Sequence, residues 1–224
     1  MYYNLHTHSF SDNAEVTEIV NIYPNQQVDA PFFSTGIHPW YIDESRVNEY
    51  LSVIELRLQE KNCLALGECG LDKRIETPLK VQAAVFEKQL LLAKKYNKPV
   101  ILHLVAAFQE VIEICSAVKP GVPLIIHGFS KNIQVARQMT DNGFYLSFGK
   151  YLLKNPELSA VLADVPDDRF FLETDTENQH IELVYQKAAK AKNKSIEEIK
   201  EIVSNNFKTV FKNGAVDGKS RTFV

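Results

Sequence analysis

The sequence predicts an α/β fold: a (β/α)8 TIM barrel, distorted because the helices after its first two strands are missing or shortened. Three observations predict it. Eight short apolar runs lack strict polar alternation, which suits strands buried on both faces of a parallel sheet. Amphipathic helical patterns separate most of these runs, the mark of βαβ units, and eight such strands imply a closed barrel. Five of the six histidines (His6, His8, His38, His103, His127) fall at or just past the end of an apolar run, leaving only His180 elsewhere. A flavodoxin-like open sheet is the alternative topology.

Taken in order, the strands are expected over Tyr2 to Leu5, Thr17 to Tyr23, Phe32 to Ile37, Cys63 to Leu66, Pro99 to Leu102, Pro123 to Ile126, Phe144 to Ser147 and Phe170 to Leu172. The connections His8 to Val16 and Pro24 to Pro31 are too short for a full helix. A helix over Asp43 to Lys61 carries Val47, Leu51, Ile54 and Leu58 at spacings of three and four, and one over Pro78 to Tyr96 carries Val81, Val85, Phe86, Gln89 and Leu92 in the same manner. Further helices fit Ala106 to Val118, Lys131 to Asn142, Pro156 to Ala163, His180 to Lys190 and Ser195 to Lys212. Pro78 and Pro156 suit helix starts, where a missing N–H costs little. Asn142-Gly143 suits a left-handed helix end. The tail from Gly214 to Val224 is expected to be loosely held.

With 224 residues there is material for one substantial core, so a single domain over 1–224 is expected. Lys plus Arg is 25 against 28 for Asp plus Glu, a net charge of -3, so no global basic field announces nucleic acid. Any phosphate recognition must be local. Three cysteines without paired spacing argue for a reducing compartment and against a disulfide framework. The start of the chain lacks a secretory pattern, and no apolar run approaches the ~20 residues that span a bilayer, so a cytoplasmic protein with no membrane partner is expected.

In a (β/α)8 barrel the site lies at the carboxyl ends of the strands, so strand-ending residues form one ring. Here that ring holds His6 and His8, His38, Glu68, His103, His127 and Asp175. In His6-Thr7-His8 side chains two apart on a strand face the same way and can meet one ion. Imidazoles and carboxylates without thiolates suit divalent zinc, manganese or magnesium. Taken singly, His103 and His127 read equally as core histidines bonded to backbone carbonyls, and Asp175 as a helix cap. Glu68 is harder to dismiss, because a carboxylate ending a buried strand must be paired or bound to metal.

The motifs His6-Thr7-His8, Thr35-Gly36-Ile37-His38-Pro39, Gly67-Glu68-Cys69-Gly70-Leu71-Asp72, Pro99 to His103, Ile126-His127-Gly128-Phe129-Ser130 and Glu173-Thr174-Asp175 occur in that order. On these residues the chain, from Tyr2 to about Phe211, resembles the TatD family of metal-dependent deoxyribonucleases. The resemblance implies two divalent metal ions: His6, His8 and Asp175 hold one, His103 and His127 the other, and Glu68 bridges them. Such a pair generates a bridging hydroxide near neutral pH and clamps both oxygens of a phosphodiester displacement. Glu68 and Asp175 are then the catalytic residues, Asp175 orienting the water and taking its proton. His38 is implied at the substrate face, contacting phosphate. Because imidazole binds metal only when neutral, occupancy is expected to fall below about pH 6.

The chain departs from the family pattern at three places. Val105 stands where an Arg usually follows the fifth-strand His, Ser9-Phe10 where an Asp often follows the first His pair, and Thr176-Glu177-Asn178 where a Pro usually follows the last Asp. Arg74 and Lys131 are expected to supply substrate-binding charge, with Lys150 and Lys154 as further candidates, and Trp40 and Tyr41 read equally as rings that stack on a base or that pack under the loop. The expected function is cleavage of DNA phosphodiester bonds, at single strands or ends; the partner is DNA or a small phosphodiester or ester. The alternatives are a metal-dependent hydrolase of a small-molecule ester or amide, and a metal-binding protein without turnover.

Overall fold

The structure, a computed structural model of the chain, describes residues 1–177 and 180–211. Eight parallel strands form one sheet in sequential order: β1 (Tyr2–Thr7), β2 (Val16–Asn21), β3 (Phe33–Thr35), β4 (Cys63–Asp72), β5 (Val100–Val105), β6 (Leu124–Ile126), β7 (Tyr145–Phe148) and β8 (Phe170–Leu172). The helices are α1 (Val47–Arg57), α2 (Leu79–Tyr96), α3 (Phe108–Val118), α4 (Ile133–Asp141), α5 (Lys150–Lys154), α6 (Glu157–Asp164), α7 (Ile181–Lys192) and α8 (Ile196–Val210). No helix separates β1 from β2 or β2 from β3, as the short connections require. Lys212, the expected end of the last helix, and the tail from Gly214 lie outside the described residues, as does Asn178.

The barrel is nearly closed. Between β1 and β8 a single parallel bridge, Thr7 to Asp175, stands in place of a ladder. β8 is only three residues long, and a side chain completes the seam. Asn4 accepts from the Thr174 N–H through Oδ1 and donates through Nδ2 to Thr174 Oγ1, each at 2.9 Å.

Element ends differ from the sequence expectation for local reasons. β4 runs six residues past Leu66, because Gly67 and Gly70 allow a bulge rather than ending the strand. The shift against β5 falls between Leu66 and Cys69, so the extra residue re-aims the chain at Glu68. Gly70 has φ +138, and a Cβ there would meet the His103 carbonyl oxygen at 2.2 Å. Only glycine lets the two strands approach that closely.

β3 stops at Thr35, and Ile37 is held instead by α2: Gln89 accepts the Ile37 N–H through Oε1 at 2.7 Å and donates to its carbonyl at 3.2 Å. One turn pair earlier on the same helix face, Gln82 binds the N–H and C=O of Asp72 at 2.8 and 3.0 Å. The apolar residues of the same helix, Val85, Phe86 and Leu90, are buried beside these glutamines. α1 begins at Val47 rather than Asp43, whose carboxylate caps a turn by accepting from the Ser45 N–H. Ala106, at φ +55, delays α3 to Phe108. α5 is too short to show helical periodicity in the sequence. At the last helix Ser195 and Glu198 form a capping box.

Candidate metal centre

Glu68 is the hub. It is buried, and its two oxygens face different partners. Oε2 lies 3.4 Å from His6 Nε2 and 3.6 Å from His8 Nε2. Oε1 lies 2.7 Å from His127 Nε2, 3.0 Å from His103 Nδ1 and 3.1 Å from His38 Nε2. Asp175 completes the first group, with Oδ1 at 3.8 Å from His6 Nε2 and 3.6 Å from His8 Nε2. Every residue expected to hold metal is therefore gathered around Glu68.

Backbone pairing across the barrel seam sets much of this geometry. The Asp175 N–H donates to the His6 carbonyl at 3.0 Å, and the His8 N–H donates to the Asp175 carbonyl at 3.1 Å. Asp175 itself sits at φ +58, a left-handed conformation that costs a non-glycine residue about 1 kcal/mol or more. Those two hydrogen bonds hold it there.

The electrostatics follow from crowding. Burial alone would push the Glu68 carboxyl up, but the charge of His127 and hydrogen bonds from His103, His127 and His38 outweigh it and hold the group well below the usual carboxylate range. Burial pushes His127 down, yet the Glu68 carboxylate and Glu173 on its other side raise it well above 6.5. Burial dominates at His38 and lowers it, leaving the ring neutral. For Asp175, burial is outweighed by His127, His6 and Lys150, which hold its carboxyl below the ordinary value.

Divalent metal fits this donor set. Both ring nitrogens of fully buried His6 have no hydrogen-bond partner among the described residues. Buried polar atoms are ordinarily satisfied, and such orphans suit coordination. Three overlapping groups, His6–His8–Glu68, His6–His127–Asp175 and His38–Glu68–His103, each keep their ligand atoms within 4.8 Å of one another. His38 differs chemically from the other imidazoles. Its Nδ1 accepts from the Trp40 N–H at 3.1 Å, so its proton is on Nε2, facing Glu68.

Arg74 and Lys131 line the same pocket of about 690 Å³, together with Trp40, Tyr41 and Lys150. Lys154 reaches Glu177 instead, at 2.7 Å. Two supporting residues were given no role from sequence. Asp72 accepts from Trp40 Nε1 at 2.8 Å and lies 3.3 Å from His103 Nε2, leaving Nδ1 of that ring toward Glu68. Glu173 accepts from the Gly128 N–H at 2.7 Å and lies 3.5 Å from His127 Nδ1. Both stand inside motifs that carry ligands, and a carboxylate behind a ligating imidazole is the recurrent partner that orients it. That proximity was the available signal.

Imidazoles and carboxylates converging without thiolate at the carboxyl ends of barrel strands define a class, the metal-dependent barrel hydrolases. The family follows: the model for TatD related DNases matches residues 3–212, and this chain belongs to the TatD family of metal-dependent hydrolases. Among its relatives, an uncharacterized metal-dependent hydrolase, YabD of Bacillus subtilis strain 168, is 30% identical over 204 residues, covering 84% of this chain and 80% of that protein. The 3'-5' ssDNA/RNA exonuclease TatD of Edwardsiella piscicida is 29% identical over 174 residues, 75% of this chain and 64% of that protein. The crystal structure of YjjV, a TatD homolog from Escherichia coli K12, superposes with a TM-score of 0.79 at 22% identity, covering 94% of this chain and 98% of that one, which bears out the fold. Among the described residues no helix is long and apolar enough to cross a membrane.

Proposed function

We propose that this chain hydrolyses phosphodiester bonds of DNA, at single strands or ends, with two divalent cations. The observation that carries the reading is Glu68, which turns one oxygen to His6 and His8 and the other to His103 and His127, the disposition a bridging carboxylate needs. The exonuclease name borne by the Edwardsiella relative supports the substrate. In this reading His6, His8 and Asp175 hold one cation and His103 and His127 the other. Bound divalent cations supply water acidified toward neutral pH and charge neutralisation at the phosphoryl oxygens.

The chain's own groups do the rest. Asp175, ionised at neutral pH, takes the proton of the attacking water. Asp72 and Glu173 keep the His103 and His127 rings aligned. His38, whose Nε2–H faces Glu68 Oε1, reaches a phosphoryl oxygen by turning that donor away from the carboxylate when cations hold Glu68, Arg74 and Lys131 add positive charge, and the exposed rings of Trp40 and Tyr41 stack on a base.

Manganese-loaded protein should degrade single-stranded DNA, and Glu68→Ala should lower the rate roughly a thousandfold, since the several kcal/mol from bound cations would be lost. Fully loaded wild-type protein that leaves DNA intact defeats the proposal. A second reading, hydrolysis of a small ester or amide, is favoured by the apolar wall of Leu104, Val105 and Phe108 and by the net charge of -3. Turnover of a panel of uncharged esters and amides well above that on DNA would establish it over the first.

A further inference from the structure

Three cations line the pocket, Arg74, Lys131 and Lys150, and they are held differently. On the β5 side the wall is Leu104, Val105 and Phe108, which offers an anion no cation. Across the pocket, at the end of β7, stands Lys150. Its Nζ lies 2.8 Å from Asp175 Oδ2 and 3.3 Å from Thr176 Oγ1, and its side chain is only 21% exposed. The ammonium is thus held at the pocket wall by two partners.

The backbone is built for this placement. At Gly149 a Cβ would fall 2.9 Å from both Glu173 Cγ and the Glu173 carbonyl oxygen, so glycine allows the chain leaving β7 to press against the end of β8 and bring Lys150 beside Asp175. Asp175 meets the imidazoles through Oδ1 and Lys150 through Oδ2, so the ammonium does not occupy the oxygen that faces the histidines. The other cations are placed differently. Lys154 is 61% exposed and paired with Glu177, and no ion pair among the described residues fixes Arg74 or Lys131.

We propose that Lys150 is the specificity-determining cation of this site, a direct contact for the anionic group of the substrate that selects phosphate esters over neutral esters and amides. This rests on the hydrolase reading but not on DNA being the substrate. A lysine ammonium carries three donors and serves phosphate as a point charge. With Asp175 and Thr176 taking two, a third remains to reach a non-bridging oxygen.

Trp40 is the only tryptophan and lines the pocket, so its fluorescence reports ligand binding without turnover. Inorganic phosphate titrated into zinc-loaded protein should bind about tenfold or more weakly to Lys150→Gln, which keeps a hydrogen-bond donor but no charge, and Lys150→Arg should recover most of the loss. Metal content, measured by elemental analysis, should be unchanged in both. With bis(p-nitrophenyl) phosphate, kcat/KM should fall by a similar factor in Lys150→Gln, while p-nitrophenyl acetate stays within about threefold of wild type. Equal phosphate affinity in wild type and Lys150→Gln, no phosphate binding by wild type, or a parallel fall on both substrates overturns the inference; the last marks Lys150 as a positioning partner of Asp175 alone. Phosphate binding that depends on Lys150 without DNA cleavage supports the inference and defeats the nuclease reading. DNA cleavage with phosphate binding indifferent to Lys150 does the reverse.

Discussion

His127 and Glu68 form the tightest charged contact of the centre, 2.7 Å apart, and each alters the other's affinity for protons. The signs can be worked out separately. The raised pKa of His127 stabilises the metal-free fold below the ordinary value of 6.5, and that contribution is lost as pH climbs through the higher folded value. The lowered Glu68 carboxyl contributes above about 4.5 and loses its effect as pH falls through the folded value. A divalent cation needs neutral imidazole, so it must displace the His127 proton. Calorimetric titration of metal-free protein with zinc, in buffers of different ionisation enthalpy, should show proton release at neutral pH and affinity that rises with pH. The onset should lie above the pH of about 6 expected for unperturbed imidazoles. Binding with no proton release at neutral pH would contradict this.

Among the elements, the β1–β8 seam and α2 position the most chemistry. His6 and His8 lie on one side of the seam and Asp175 on the other, joined by two backbone hydrogen bonds and the paired amide of Asn4. Asn4→Ala removes the acceptor for a buried Thr174 N–H, so it should cost about 1–3 kcal/mol of stability and weaken metal retention. Urea unfolding with metal analysis of the folded protein tests both parts. A variant with wild-type stability would show that the seam is held by the strands alone. On α2, Gln82 and Gln89 use both polar atoms of each amide to fix Asp72 and Ile37, the latter just before His38. Gln89 reads in sequence only as one position of the buried stripe; with Gln82 it fixes the end of β4 and the segment that leads into His38.

At the level of the molecule, metal should be part of the fold's stability, because the cluster concentrates carboxylates and imidazoles, the orphaned His6 among them, in a buried space. A cation at a hundred times its dissociation constant stabilises by about 2.7 kcal/mol. For a chain of this size each kcal/mol shifts Tm by roughly 2–4 °C, so chelation should lower Tm by roughly 5–10 °C. Thermal denaturation with and without a chelator measures it, and an unchanged Tm would mean that the centre does not bind cations in the folded state.

The strand order and the ring of candidate ligands were legible in the sequence because both depend on local pattern: short apolar runs, most of them separated by helices, six of the eight ending at a histidine or carboxylate. Asp72 and Glu173 were visible as members of motifs but not as supports for His103 and His127, since their partners are distant in the chain. The same holds for Lys150, one of four cations alike in sequence and set apart by its contact with Asp175. Sequence by itself determined the fold class, the family and which side chains meet. Only tertiary structure decided how Glu68 divides its two oxygens, which proton His38 keeps and which lysine pairs with Asp175, because each turns on which polar atom comes within about 3 Å of another, and that is set by how the chain packs.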